Sequence, residues 1–452
     1  MQLIAPCGGS PVLTHTGRQD SPLFYKPVVD RTPHATSLFE QIEKIFTVAM
    51  LFYSTSALLP LITGETVTFA RESGNSIEFM VQTAFYLVAF YLIAVRWRSV
   101  RRGAWNAKWI LLLALVAIVS TVWSQDPLFT LRRSLVMFAT TSFGIYFGSR
   151  FAVPEQLRLL GWTCALVVLT SCFMAIFLPQ YGVDHHLFPG AWKGAFTHKN
   201  SLSRAMVLSA LVFYFARPPA GWWVRWLGIA GALCLLVLSK SVTGIVVFAV
   251  MILTLPLYRL LRSKLTVAVP VSIVVGLAAL GSGFLLYTML PSLLEALHRD
   301  TTLTGRAQLW QAILLSIAKR PWLGYGFNAF WKANGESSRV IQQVSWFVQG
   351  AHNGFLDLTL DLGILGLSIL IAGYVILWHR ALRLMRKTTG IVPIWLCTYL
   401  AFIFLSNLTE SAILVQNNIF WILYASTAVC ASVYVPRPAW PPQPLTIARD
   451  FS

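Results

Sequence analysis

Apolar residues in this chain do not alternate with polar ones. They run in blocks of roughly twenty, the length a helix needs to cross a hydrocarbon layer. Twelve blocks are predicted as spanning helices, near residues 45–62, 78–95, 109–124, 134–149, 159–178, 200–216, 223–238, 243–258, 266–290, 352–378, 392–407 and 418–435. The run 223–258 is too long for one span and is divided at its polar break, Leu238-Ser239-Lys240-Ser241. Residues 291–351 are different in kind. This long loop holds "TGRAQLWQAILLSIAKRPWLGYGF", in which Leu303, Ala307, Trp310, Leu314 and Ile317 recur at helical spacing. Pro321 ends that amphipathic helix, whose apolar face is expected on the membrane surface or on the tops of other helices. The expected organisation is a tail at 1–44, nine spans within 45–290, the loop 291–351, three spans within 352–435 and a tail at 436–452.

Composition agrees with this pattern. Of 452 residues, 56% are hydrophobic and 12% charged, where a soluble protein carries about 25% charge. The expected fold class is an all-α polytopic membrane protein. Lys and Arg number 35 against 17 Asp and Glu, a net charge of +18. In a soluble chain that excess would suggest nucleic acid; here it reads as basic cytoplasmic loops and an anionic substrate. Arg96, Arg98, Arg101, Arg102 and Lys108 fill one connection, Arg259, Arg262 and Lys264 a second, and Arg380, Arg383, Arg386 and Lys387 a third. With twelve spans and a cytoplasmic N-terminal tail, all three fall on one side, and the loop 291–351 falls outside. The polar first 40 residues place the first apolar run too late for an ordinary signal peptide. The six cysteines show no CxxC spacing, so neither a disulfide framework nor a zinc site is expected.

Chemistry-bearing residues collect on the expected outer side. In "HNGFLDLTLDLGILG", His352 and Asn353 open a span that also carries Asp357 and Asp361. Such groups inside a membrane helix cost roughly 2.5–3.5 kcal/mol on insertion scales and are functional by default. On one continuous helix, His352, Thr359, Gly363 and Gly366 would share a face, the glycines letting a neighbouring helix approach. Asn353, Asp357 and Asp361 would form a second stripe. The plainer alternative is that His-Asn caps the helix and the aspartates pair with buried basic groups. In "GAFTHKNSLSRA", His198, Lys199 and Asn200 stand at a helix start with Arg204 a turn inside, a place that favours an anion; the alternative is interfacial anchoring. Arg306 in "TLTGRAQLW" offers a fork for a phosphate, or is a surface arginine. Arg132, Arg133 and Lys240 are further basic groups placed outside. Together these suggest a cationic outer cavity for a phosphorylated lipid. Glu410 falls in a short outer turn and either faces that cavity or is solvated. Asp184-His185-His186 lacks a second cluster to complete a metal site, and "NLT" at Asn407 sits at a membrane edge, against glycosylation.

These motifs resemble the O-antigen ligases and polysaccharide polymerases of the bacterial inner membrane. The ligase pattern of His-Asn, nine residues, Gly, two residues, Gly is met by His352, Asn353, Gly363 and Gly366. Upstream, Gly305, Arg306, Trp310, Pro321, Gly324 and Gly326 resemble the Gly-Arg, Trp, Pro-x-x-Gly-x-Gly segment of that superfamily. "GAFTHKN" is similar to a segment of its exopolysaccharide-polymerase branch. One departure is Val242, where the family often has a basic residue after its Ser-x-Ser; Lys240 is the nearest substitute. The resemblance implies a GT-C-like, metal-independent glycosyltransferase without cofactor, whose donor is an oligosaccharide on undecaprenyl diphosphate. It implies that Arg306 holds the diphosphate and His352 acts beside the anomeric carbon. The polymerase branch is expected, with lipid-linked repeat units and membrane lipids as partners, a flippase and a chain-length regulator nearby, and no nucleic acid. The ligase branch, acting on lipid A-core, and a lipid-linked sugar transporter are the alternatives. No internal repeat of the kind common in transporters is visible.

Overall fold

The computed structural model describes residues 37–57, 59–60, 76–216, 221–260, 306–332, 336–344, 348, 350–388 and 390–433. Residues 1–36 of the first tail, the second tail, the ninth predicted span at 266–290 and the start of the long loop lie outside these residues, while 38–44 of the expected tail belong to α1. The chain order is α1 (Leu38–Tyr53), α2 (Ser76–Val95), α3 (Trp97–Asn106), α4 (Lys108–Val119), α5 (Pro127–Arg150) and α6 (Val153–Phe177). A two-residue antiparallel hairpin follows, β1 (Val183–Asp184) with β2 (Ala191–Trp192). Then come α7 (Lys199–Phe215), α8 (Trp222–Leu238), α9 (Val242–Leu260), α10 (Arg306–Lys319), α11 (Ser337–Val344), α12 (Gly354–Lys387), α13 (Ile391–Asn407) and α14 (Ile419–Val433). Helices stand at eleven of the twelve expected places, and the run 223–258 does break at Ser239-Lys240-Ser241, where Lys240 takes φ +52°.

This is an all-α membrane protein. Among the described helices, Glu78–Val95, Val153–Phe177 and Gly354–Lys387 are long and apolar enough to cross a membrane unaided. The α3–α4 pair is bent by 88°, because the basic α3 and the apolar α4 cannot share one environment. Large apolar side chains such as Leu87, Tyr91, Leu169, Phe173, Ile371 and Val375 stay exposed on the outer faces, as a lipid-facing surface requires. The tightest packing is between α5 and α14. Gly144 and Gly148 lie four apart on α5, and a Cβ at either would come within 2.8 Å of the Ile422 or Ser426 carbonyl of α14. Small residues at this spacing let helix backbones approach without a hydrophobic driving force.

Two ends of the bundle differ in charge. At one, the buried Glu43 of α1 accepts from Arg96 (Nη2, 3.0 Å), Arg150 (Nε, 3.1 Å) and the Tyr146 hydroxyl (2.8 Å). Pairing of this kind explains why α1 starts at Leu38, earlier than the expected apolar block. The Arg380 guanidinium reaches the Asn106 carbonyl at 3.3 Å and the Ser432 hydroxyl. The basic connections around 96–102 and 380–387 therefore share an end. Of the third expected cluster, Arg259 stands in the last turn of α9, and Arg262 and Lys264 lie outside the described residues.

At the other end, the outer loop builds its own small core. Leu309, Ala312 and Ile313 of α10 pack with Tyr325, Phe330, Val340, Val344 and Ala351. This corrects the expected apolar face of α10. Of the expected face, Trp310 and Ile317 pack against this core, Leu314 is exposed, and Leu303 and the side chain of Ala307 lie outside the described residues; the fully buried stripe is 309, 312, 313 and 316, because α10 is apolar on two sides and contact with the rest of the loop selects one. The helix ends at Lys319, just before Pro321, as expected.

The glycine expectation for α12 is also corrected. Gly363 has φ +64° and ψ −164°, which breaks the helix. The segment 321–327 docks its backbone into the break: the Tyr325 and Gly326 amides donate to the Leu360 and Asp361 carbonyls (2.8 and 3.0 Å), and the Ile364 amide donates to the Pro321 carbonyl (2.8 Å). A Cβ on Gly363 would collide with the Trp322 carbonyl. The glycine therefore admits a loop and not a second helix, and the polar head of α12 is a separate half-helix.

Candidate functional site

Asn407 closes α13. It is fully buried, donates to the Ile403 carbonyl at 2.6 Å, and accepts from the Ala412 and Ile413 amides at 2.7 and 3.0 Å. The turn folded around this amide carries Glu410. Glu410 Oε1 accepts from Arg306 Nη2 at 2.9 Å and from Asn200 Nδ2 at 2.9 Å, and Oε2 meets His352 Nδ1 at 3.1 Å. Three motifs that are far apart in sequence thus converge on one carboxylate. Burial pushes Glu410 up, but the His352 hydrogen bond and the charges of His352, Arg204 and Arg306 outweigh it and hold the carboxyl at about 2. An ionised carboxylate only accepts, so in the neutral ring of His352 the proton sits on Nδ1 and Nε2 is left to accept one.

His352 is not part of α12. Asn353 is the N-cap, accepting from the Phe355 and Leu356 amides at 3.0 and 3.2 Å. His352 precedes it with φ +49°, an uncommon backbone for this residue. Its neighbours hold it there. The Ala351 carbonyl accepts from Trp310 Nε1 at 2.9 Å, and the Ala351 amide donates to Asp357 Oδ1 at 2.9 Å. Asp357 also accepts from Trp331 Nε1 (2.9 Å) and from the Ser411 hydroxyl. On the plainer alternative the aspartates would pair with buried basic groups; Asp357 instead collects neutral donors, and Glu410 orients the cations. Arg306 further donates through Nη1 to the Thr409 carbonyl at 2.9 Å.

The "HKN" segment supplies the other wall. His198 is the N-cap of α7, its Nδ1 accepting from the Asn200 amide at 3.1 Å. Burial is the largest influence on His198 and lowers its pKa, with Glu410 opposing it, so its ring is neutral at pH 7. Lys199 is buried with Nζ 3.5 Å from the Phe188 ring centroid. Asn200 Oδ1 accepts from Ser241 Oγ at 2.9 Å, which lies 3.1 Å from Ser203 Oγ. Arg204 donates from Nη1 to the Ser411 carbonyl at 3.1 Å.

Three expected basic groups sit apart from this network. Lys240 is exposed, with Nζ beside Gly190 in the hairpin turn; Ser241 takes its place, because the break between α8 and α9 turns the hydroxyl inward. Arg132 is exposed, and Arg133 lies 5.0 Å over the Phe129 ring. Asn353 spends its side chain on capping and on the Leu408 carbonyl. Asp184 holds the hairpin by accepting from the His186, Leu187 and Phe188 amides. Ser241 and Ser411 were not singled out for this site; Asp357 was noted only as part of the helix stripe, and Asn407 only as a glycosylation pattern set aside. Only the burial of polar residues in an apolar setting could have flagged them.

An all-α membrane protein with a His, Arg and Glu cluster gathered at one end of its bundle defines the class. Residues 227–371 match the family model described as O-Antigen ligase, a segment that contains Arg306 and His352. The chain is also 26% identical over 306 residues to the exopolysaccharide production protein ExoQ of Rhizobium meliloti (strain 1021), covering 64% of this chain and 68% of that protein. The resemblance read from the motifs is thereby shown: the chain is similar to the O-antigen ligase and polysaccharide polymerase superfamily, on its exopolysaccharide side.

Proposed function

We propose that this protein is a polymerase that joins oligosaccharide repeat units carried on undecaprenyl diphosphate, at the periplasmic face of the bacterial inner membrane. The observation that carries the reading is the convergence of Arg306, His352 and Asn200 on Glu410. His352, held by Glu410 through Nδ1, takes the proton of the acceptor hydroxyl on Nε2. The hydroxyl oxygen bonds to the anomeric carbon of the donor sugar, and the bond from that carbon to the diphosphate breaks. The diphosphate leaves with the electron pair. Arg306 has N–H donors beyond the two already engaged and stabilises the developing negative charge. A guanidinium, with Lys199 on the adjoining wall, supplies the role a divalent ion would otherwise fill, so strong chelation is expected to leave transfer intact.

The match to the O-antigen ligase model favours a second reading, transfer of a finished glycan to lipid A-core. A deletion strain separates the two. Single repeat units accumulating on the lipid carrier support the polymerase, and long carrier-linked chains absent from lipid A-core support the ligase. Purified protein in vesicles is the direct test. Elongation of lipid-linked glycan is expected; translocation without elongation would overturn both readings in favour of a transporter. A flippase that delivers the units and a regulator of chain length are the partners this reading calls for.

A further inference from the structure

Beside the Glu410 cluster, with Arg204 reaching both, a cavity of about 250 Å³ enters the bundle. That is room for roughly eight waters at about 30 Å³ each, which suits a single sugar unit. It lies among the end of α1, the middle of α6, the first turns of α7 and the loop leading to α14. Its wall is unusually polar for this depth: Thr55, Thr163, Ser201, Ser209, Gln416 and Asn418 contribute hydroxyls and amides.

Arg204 is the cation of this cavity. Its guanidinium is fixed on two sides, by the Ser411 carbonyl at 3.1 Å and by the Phe420 ring, 4.6 Å from the guanidinium carbon to the centroid. Its Nε is buried and has no partner among the described residues. Arg306, by comparison, has both terminal nitrogens engaged by protein acceptors. A buried N–H without an acceptor costs stability, and the same immobilised guanidinium lines the cavity, where its remaining N–H donors can meet a ligand. One fixed cation answers one negative charge, whereas a diphosphate carries more and has Arg306 and Lys199 nearby. The surrounding hydroxyls and amides match the hydroxyls of a carbohydrate.

We propose that this cavity is a subsite for a carboxylate-bearing sugar of the glycan, with Arg204 as the residue that selects it. The proposal rests on the glycosyltransferase reading for the statement that its ligand is part of a glycan. Ligand and charge source are separable by experiment. Full-length protein in lipid nanodiscs is titrated with three probes: a disaccharide containing one uronic acid, its carboxyl-reduced twin, and inorganic diphosphate.

The acidic disaccharide is expected to bind roughly tenfold tighter or more than its twin, the effect of one charge-assisted hydrogen bond. Arg204→Gln should erase that difference. Arg204→Lys should keep part of the preference. Thr163→Val, in the α6 part of the wall, should weaken both disaccharides alike and serves as the readout should Arg204→Gln not accumulate. Equal binding of the twins to the wild-type protein would overturn the proposal. So would displacement of the acidic disaccharide by inorganic diphosphate, which would assign Arg204 to the lipid diphosphate. Elongation of lipid-linked glycan is scored separately. A protein that discriminates the twins but elongates nothing would sink the polymerase and leave the subsite standing; one that elongates but does not discriminate would do the reverse.

Discussion

Glu410→Gln tests the cluster most directly, because it removes one charge at nearly constant volume. The carboxyl is held at about 2 against an ordinary 4.5, even though burial alone would raise it. At about 1.4 kcal/mol per pH unit, the cations stabilise the ionised form by on the order of 3 kcal/mol. Glutamine keeps one oxygen for Arg306 and Asn200, but it turns an NH₂ toward His352 Nδ1. That nitrogen must then accept, and the ring proton moves to Nε2, so the base loses its acceptor site. A wrong tautomer of this kind costs about 10⁴ in rate in the best-studied triads. Transfer should therefore fall by about 10²–10⁴, while the fold loses only about 1.5–3 kcal/mol. Folding and rate are measured on the same detergent-purified protein, by thermal unfolding and by elongation of lipid-linked glycan. The pH dependence has a definite sign. Because the folded value lies below the ordinary one, this stabilisation is present above about pH 4.5 and drains away as pH falls toward 2; Glu410→Gln should lack that part of the acid sensitivity. Wild-type elongation and melting in Glu410→Gln would refute the reasoning, and so would strict additivity with Arg306→Lys, since groups in contact couple by about 0.5–3 kcal/mol.

His352→Ala should remove polymer while the protein still accumulates in the membrane, by about 10²–10⁴ in rate; Arg306→Lys should be strongly impaired, because one ammonium cannot reproduce a fork. Lys319→Ala, whose partner Glu336 forms an ion pair on the surface of the outer loop, should be nearly silent at about 0–1 kcal/mol; polymer lost in this control alone would point away from the Glu410 cluster. Gly363→Ala should lower the amount of folded protein, since a left-handed backbone costs about 1–3 kcal/mol in a residue with a Cβ and the Trp322 carbonyl occupies its space. Normal accumulation of that variant would mean the loop docks differently. A reporter active only in the periplasm should work when fused near Gly335 and stay silent near Arg386; the reverse would invert the orientation assumed for the site.

Much of this protein is legible along the chain because lipid imposes a local rule. Every backbone group in hydrocarbon must bond within its own helix, so apolar block length alone located eleven helices and the break at Ser239-Lys240-Ser241. The motif residues Arg306, His352 and Asn200 were legible for a related reason: ionisable and amide groups at helix starts stand out against an apolar background. What the chain order does not contain is the pairing. Glu410 looked like a turn carboxylate, and only the packing of α13 against α7, α12 and the outer loop shows three donors on it. The face of α10, the break in α12 at Gly363 and the role of Asp357 were likewise decided in three dimensions. In each case a local pattern allowed two arrangements of similar cost, and contacts between different elements of the folded chain selected one. The unanswered Nε of Arg204 is the extreme case: its meaning depends on what the folded chain leaves empty around it.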